Sequence, residues 1–383
     1  MPDAVIVDVV RTPIGRAFKG SLAGVRAEDL GAFALKTLMD KFPNLDWSAE
    51  VEDFMLGCAF GEGETGYNVA RQVGLLAGLP VEVGATTVNR FCASSLQTIR
   101  MAAHAIQAGE GTAFIAGGLE AVSRASSGGN FQFHPKLSGE GAIYDAYIPM
   151  GNTAENVAEK FSVSREDMDV YAKRSQDLAV ESQENGFFDR ELTPFTLEDG
   201  TVVSKDDGPR AGTTLEKLAT LPTPFKEDGT VTAGNACPLN DGAAAALVMS
   251  ADRANELGLK PRAKIIASSV SGIEPEIMGV GPIVAIQRVL DRAGMTINDI
   301  DTVELNEAFA AQVIPIMDAH NIPLDKMNPH GGAIALGHPF GMTGARIMAT
   351  LLNGLETDDK QIGLETMCVG GGQGMAMIVE RLN

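Results

Sequence analysis

Four residues stand where this sequence can do chemistry: Cys92, His338, Cys368 and Asn306. Cys92 lies in Val88-Asn89-Arg90-Phe91-Cys92-Ala93-Ser94-Ser95, between an expected strand and an expected helix. Unpaired amides and the macrodipole at a helix N-terminus stabilise negative charge, so a cysteine there can have a lowered pKa and act as a nucleophile. The plainer alternative is a buried cysteine packing as a small hydrophobe. His338 sits in the glycine-dense run from Gly331 to Gly341, where backbone can approach a ligand and an imidazole can take a proton from a thiol. Its alternative is a turn histidine that solvates its loop.

Cys368 precedes Val369-Gly370-Gly371-Gly372-Gln373-Gly374 at the end of a strand candidate. That string lacks the G-x-G-x-x-G spacing, a following crossover unit and an acidic residue about 20 positions on, which rejects nucleotide binding there. Glycine amides beside a cysteine suit an oxyanion hole, with the second thiol moving protons. Asn306 opens Asn306-Glu307-Ala308-Phe309 after an expected strand over Thr302 to Leu305, and open α/β sheets place their sites at such strand ends. Its amide can orient a water or donate to a carbonyl, although an isolated asparagine there is more often a helix cap.

Strands and helices must hold these residues in place. Ala4 to Val10 is a β-branched run, and Leu30, Ala34 and Leu38 then repeat at helical spacing. Strands are expected over Val51 to Leu56, Thr86 to Asn89 and Thr112 to Ala116. Leu96, Ile99, Ala103 and Ile106 mark one face of a helix that ends near Gly109. This alternation predicts an α/β layer with a mostly parallel sheet. From about Leu119 to Ala236 the pattern gives way to acid-rich turns such as Glu198-Asp199-Gly200 and Asp206-Asp207-Gly208 around two polar helical stretches, which reads as an inserted loop domain. Apolar patterning resumes after Asp241, and Ala263 to Val270 reads as the first strand of a second α/β unit. The units echo each other weakly, Cys92 answering His338 and Gly117-Gly118 answering Gly370 to Gly372, with no fixed period.

Composition narrows the function. The chain has 383 residues, 45% hydrophobic and 21% charged, enough for a large buried core. Its formal charge of -20 argues against a protein devoted to nucleic-acid phosphates. The 43 glycines have no collagen-like period and belong in tight loops. The 4 cysteines are far apart with no C-x-x-C pair, so neither a disulfide framework nor a metal site is expected. The opening MPDAVIVDVVRTPIG lacks signal-peptide features and no apolar run reaches the roughly 18 residues of a membrane span, so the expected location is the cytoplasm, or an organellar matrix after removal of a targeting segment. Cys58, Trp47, His104, His320 and the methionines need no role beyond packing or ordinary helix positions.

The segments VNRFCASS, GGAIALGHPFGMTGAR and CVGGGQG, with LNEAFA, TAGNACPLNDGAAAALVMS, RTPIGR and MGNTAENVAEKFSVSRED, resemble the thiolase family, the acetyl-CoA acyltransferases, nearly end to end. The resemblance implies two similar five-stranded βαβαβαββ halves in an αβαβα sandwich, with the irregular segment as a loop domain over the active site. The corresponding boundaries are 1–118 plus 237–260 for the first half, 119–236 for the loop domain and 261–383 for the second half. It implies that Cys92 takes up the acyl group, that His338 activates it, and that Cys368 is the general acid/base. One oxyanion hole would use His338 and a water held by Asn306, the other the backbone amides of Cys92 and Gly370. Coenzyme A, a substrate rather than a bound cofactor, would meet Arg210, Leu221, Phe225, Ala233 and Cys237, with Met150, Ala308 and Phe309 near the thioester. Cys237 replaces the serine common in biosynthetic members and is a weaker donor. With Pro149-Met150 and Phe133-His134-Pro135, it makes the chain resemble the degradative branch.

The leading expectation is therefore thiolysis of 3-ketoacyl-CoA in fatty-acid β-oxidation. Alternatives are a biosynthetic acetoacetyl-CoA synthase and a non-catalytic acyl-CoA or lipid carrier. A decarboxylating ketoacyl synthase would normally show Cys-His-His, and no such histidine stands at Cys368. The resemblance further implies a homodimer or homotetramer and leaves room for a partner from a fatty-acid oxidation complex.

Overall fold

The computed structural model describes residues 2–125 and 132–383; residues 126–131 of the expected loop domain lie outside them. The run Ala4–Arg11 forms β1 and is buried along almost its whole length, as a strand covered on both faces must be. Its side chains alternate: Ile6 joins one core cluster while Val5 and Val7 join another. Strands β2 (Val51–Gly57), β3 (Gly84–Val88), β4 (Ala113–Ala121) and β5 (Asn240–Ser250) complete the first half. The second half holds β6 (Ala263–Gly272), β7 (Thr302–Leu305), β8 (Ile362–Val369) and β9 (Gln373–Arg381). The halves join through a short antiparallel contact, Val5 with Lys264 and Ile6 with Ala263, so the strands run in the order β7-β8-β9-β6-β1-β5-β4-β2-β3.

The sheet is mixed rather than mostly parallel. Helical crossovers leave β2 parallel to β3 and β4, and β7 parallel to β8. Elsewhere the connections reverse the chain: β8 turns into β9 through the glycines after Val369, and β4 meets β5 antiparallel after the long insertion. In the second half the position answering β3 is reduced to one parallel bridge, Val303 with Met327.

Helices complete a layered sandwich. The ranges are α1 (Ala27–Asp40), α2 (Val69–Ala77), α3 (Ser94–Ala108), α4 (Met150–Phe161), α5 (Arg165–Glu184), α6 (Gly281–Ala293), α7 (Ala310–His320) and α8 (Thr343–Thr357). Three clusters of buried side chains define the layers. Leu96 and Ile99 of α3 pack with Met348 and Leu352 of α8 between the inner faces, represented by Ala246 and Met377. Leu30 and Leu35 of α1 cover the outer face of the first half, and Ile286 and Val289 of α6 that of the second. A central-layer helix has no solvent face, and α8 is buried continuously from Thr343 to Leu355.

The two halves meet closely at their loops. A Cβ on Gly118 would fall inside the Gly341 carbonyl, and one on Gly344 would strike the Leu96 backbone, so these glycines let the end of β4, the His338 loop with the start of α8, and the start of α3 converge. The insertion, with α4 and α5, is tied to β1 by a buried charge cluster. Arg11 donates to Glu191 at 2.7 Å and bidentately to Asp206 at 2.8 and 2.9 Å. Burial works against the guanidinium, but Asp206 and Glu191 more than offset it and raise its pKa. Removing one member of such a cluster strands the others without water, at a cost of about 3–5 kcal/mol. Arg11→Ala should therefore lower the unfolding free energy by that amount in a denaturant titration; a loss under about 1 kcal/mol would contradict the role of this cluster as tether.

Candidate active site

Cys92 is presented by a strained turn. After β3 ends at Val88, the Asn89 side chain donates to the Ala59 carbonyl at 2.8 Å and accepts from the Phe91 amide at 2.8 Å. Phe91 is held at φ 44, a left-handed conformation that costs a non-glycine residue energy and recurs at functional sites. Phe91–Ala93 then form one 3-10 turn leading into α3. The backbone amides of Gly370 and of Cys92 itself lie on the side of the Cys92 sulfur where they favour its charged form. The lowered pKa expected from the helix start is not what the structure gives. Burial pushes the thiol up to about 12, outweighing both amides, so the resting group is an uncharged thiol.

His338 follows Gly337, which is at φ 113. Its backbone amide donates to the Asn240 side chain at 2.9 Å. Its Nδ1 is 2.6 Å from the Thr343 hydroxyl, which itself donates to the Pro339 carbonyl at 2.8 Å. With the hydroxyl proton committed, Nδ1 must carry a hydrogen and Nε2 is left as the basic nitrogen. Nε2 lies 3.3 Å from the Asn306 side-chain nitrogen. Burial, and then the nearby Arg346, lower the imidazole pKa to about 3. Asn306 is buried where β7 ends; its backbone amide donates to Thr366 at 3.0 Å and its side-chain oxygen has no partner.

Cys368, near the end of β8, donates its thiol to the Gln312 side-chain oxygen at 2.9 Å. Gln312 on α7 also donates to the Asn306 carbonyl at 3.4 Å, joining the second cysteine to the histidine side of the site. Burial, then Cys92 and Cys237, raise the Cys368 pKa well above its ordinary value, so the three cysteines lie within electrostatic reach of one another. The sequence reading missed Gln312. A polar residue in the otherwise apolar first turns of its helix was its only signal.

Two cavities adjoin these groups. The first, of about 430 Å³, is walled by Phe60, Phe91, Phe133, Tyr147, Ile148, Met150 and Phe340, with Cys92 and Gly370 among its lining. The second, of about 280 Å³, collects Arg210, Leu221, Ala233 and Cys237 from the residues expected at coenzyme A, together with Arg16 and Lys19, which were not expected. Ala308 and Phe309 are buried beside it: the Cys237 amide donates to the Ala308 carbonyl at 2.9 Å, and Ala236 bridges to Phe309. Phe225 lines neither cavity, its ring packing against Gly151 at the start of α4. A roomier groove of about 540 Å³, lined by Asp177, Glu181 and Glu184, includes none of the reactive residues.

Comparison with known proteins gives a consistent result. The N-terminal domain of thiolases matches residues 4–252 and the C-terminal domain residues 259–381. The chain is 47% identical over 407 residues to a beta-ketoadipyl-CoA thiolase of Acinetobacter baylyi, covering 100% of both. It is 46% identical over 390 residues to a 3-ketoacyl-CoA thiolase of Aeromonas hydrophila, again covering 100% of both. The crystal structure of the Bacillus anthracis acetyl-CoA acetyltransferase superposes with a TM-score of 0.91 at 38% identity, covering 100% of this chain and 99% of that one.

The depressed His338 value makes a direct prediction. Nitrogen-15 spectra of the histidine-labelled protein should show His338 neutral, with hydrogen on Nδ1, down to pH 5; a midpoint near 6.5 would refute the assignment. The folded state binds fewer protons than the unfolded chain between about 3 and 6.5, so this residue removes stability as pH falls through that window.

Proposed function

The chain belongs to the thiolase family, and on that premise we propose that it cleaves 3-ketoacyl-CoA with coenzyme A, giving acetyl-CoA and a shortened acyl-CoA through an acyl group carried on Cys92. The observation that carries this reading is Cys92 and Gly370 lining the same apolar cavity, with the backbone amides of both favouring negative charge at the Cys92 sulfur. Such donors stabilise an oxyanion that forms beside the sulfur.

His338 Nε2 takes the Cys92 proton as the sulfur attacks the ketone carbonyl. Asn306 and the resulting imidazolium stand ready for charge on the other carbonyl oxygen. When the C2–C3 bond breaks, the electron pair stays with the acetyl-CoA fragment as an enolate, and Cys368, oriented by Gln312, supplies the proton. Coenzyme A then gives its thiol proton to the Cys368 thiolate and attacks the thioester on Cys92; the C–S bond to Cys92 breaks, the Cys92 sulfur recovers its proton from the His338 imidazolium, and the shortened acyl-CoA leaves. The cleft with Arg16, Lys19 and Arg210 suits its phosphates: none of these cations is in an ion pair with a described carboxylate.

An uncharged, apolar acyl chain fits the first cavity best. Its walls are mostly aromatic and aliphatic, with Gln132 the one polar amide among the described lining residues, and no Lys or Arg is among them. The carboxylate ending an adipyl chain, as in the name of the Acinetobacter relative, would be buried there without a partner. A volume of about 430 Å³ exceeds the need of an acetyl group, which favours degradation in fatty-acid β-oxidation over dedicated acetoacetyl-CoA synthesis. We place the protein in the cytoplasm and expect a homodimer. The exposed Tyr67, Leu75, Leu76 and Val81 lie near β3, an edge strand of the sheet, and exposed apolar groups beside an open edge suit a partner copy.

Incubation with acetyl-CoA should add an acetyl group to the Cys92 peptide and to no peptide of Cys92→Ala. Thiolysis rates should rise from C4 to C8 ketoacyl substrates, and 3-ketoadipyl-CoA should react at least ten-fold more slowly than an uncharged substrate of equal length. Flat loss of rate above C4 would favour the biosynthetic alternative, and binding of acyl-CoA with no turnover would favour a carrier.

A further inference from the structure

Glu120, the penultimate residue of β4, is buried and has no cationic partner among the described residues. Burial pushes its carboxyl up to about 7, against the hydrogen bonds it receives. One oxygen accepts from the Ala59 amide at 2.9 Å and from the Gly341 amide at 3.0 Å, and the other from the Phe60 amide at 3.2 Å. The bonds therefore reach into both halves of the molecule, to the loop after β2 and to the loop of His338.

The consequences run to the reacting groups by two routes. The Ala59 carbonyl holds Asn89, and Asn89 holds the Phe91 amide in the left-handed turn before Cys92. In the other direction Gly341 follows Phe340, whose ring stands edge-on to His338 at 5.0 Å and to Phe60 at 5.4 Å between centroids. We propose that Glu120 is a positioning residue for the thiolase reaction, its carboxylate setting the Cys92 turn against the His338 loop by serving as the common acceptor for both. This rests on the reading of Cys92 as nucleophile and His338 as base. A carboxylate suits the task because all three amides point donors at it. Glutamine has the same shape, but its NH₂ must face one or two of those N–H groups and lose their bonds. A small shift of the nucleophile relative to its base is enough to slow a reaction by ten-fold or more.

The test is Glu120→Gln, with the rate of Cys92 acetylation by acetyl-CoA and the steady-state constants measured beside the parent. Expected are a fall of at least ten-fold in acetylation rate and kcat, and a KM for coenzyme A within about two-fold of the parent, since the cationic cleft shares no residue with this network. Asn89→Ala, which cuts the same chain at an exposed link, should reproduce the kcat loss and guards against a Gln variant that fails to fold. Acetylation of both variants at the parent rate overturns the proposal alone, as does a parallel loss of acetylation and coenzyme A binding. A parent that is not acetylated at Cys92 overturns the functional reading and this inference with it.

Discussion

Burial of every reacting group is the constraint on which the rest depends. Taking a thiol or an imidazole out of water favours its uncharged form, so Cys92 and Cys368 are raised and His338 is lowered. No thiolate–imidazolium pair is stored at rest. Charge must appear only as a carbonyl carbon is attacked, and the groups that receive it have to be aimed beforehand because little solvent is left to reorganise around it. That requirement accounts for the fixed partners: the Gly370 amide, which favours charge on the Cys92 sulfur, Thr343 on His338 Nδ1, and Gln312 on the Cys368 thiol.

Buried carboxylates supply the scaffolding for these partners, and they do so differently. Glu307 is fully satisfied, accepting from Tyr171 at 2.8 Å, Ser175 at 2.6 Å and Asn328 at 2.8 Å, which binds α5 of the insertion to the strand end bearing Asn306. Glu304 and Glu365 lie side by side in register on β7 and β8 and retain unpartnered oxygens. Burial raises both, Glu304 to about 8, even though Arg346 opposes the shift. Arg346 also adds to the depression of His338, so charge held in the second half's core bears on the base. Such groups are costly to bury, and their concentration on the inner face under α8 favours specificity of arrangement over stability.

Cys92, His338, Cys368 and Asn306 were legible in the sequence because each adjoins a strand end or helix start, and His338 and Cys368 also adjoin runs of glycines. Most strands and helices were legible from periodicity, with Ala263 opening its strand and Gly109 closing α3 where expected. What local pattern could not carry was pairing direction and solvation. The antiparallel partners of β5 and β9 depend on how long connections return, and the sign of the Cys92 shift depends on how many atoms exclude water from it. Gln312 and Glu120 act through residues more than 50 positions away in sequence, with no neighbouring motif to mark them. Arg16 was visible only as part of RTPIGR, and its place beside Arg210 needed the insertion to fold back onto β1.

Net charge was the least informative quantity. At -20 the chain should repel a ligand bearing several phosphates, and the Asp206-Asp207 turn lies close in sequence to Arg210. The fold engages those acids. Asp206 is taken up by Arg11 and by the Ile14 amide at 2.7 Å, while Asp207 accepts the Arg16 amide at 2.9 Å and the Ser21 amide at 2.8 Å. Arg16, Lys19 and Arg210 keep their side-chain charges unneutralised, and burial together with Arg16 lowers the pKa of Arg210, as expected of like charges held near one another. An anion entering the cleft would relieve that repulsion, so the mutual strain of the cations contributes to binding. The local field at the cleft is set by which charges remain unpaired, and at a Debye length of about 8 Å in physiological salt the distant surplus of acid on the outer surface is largely screened from it.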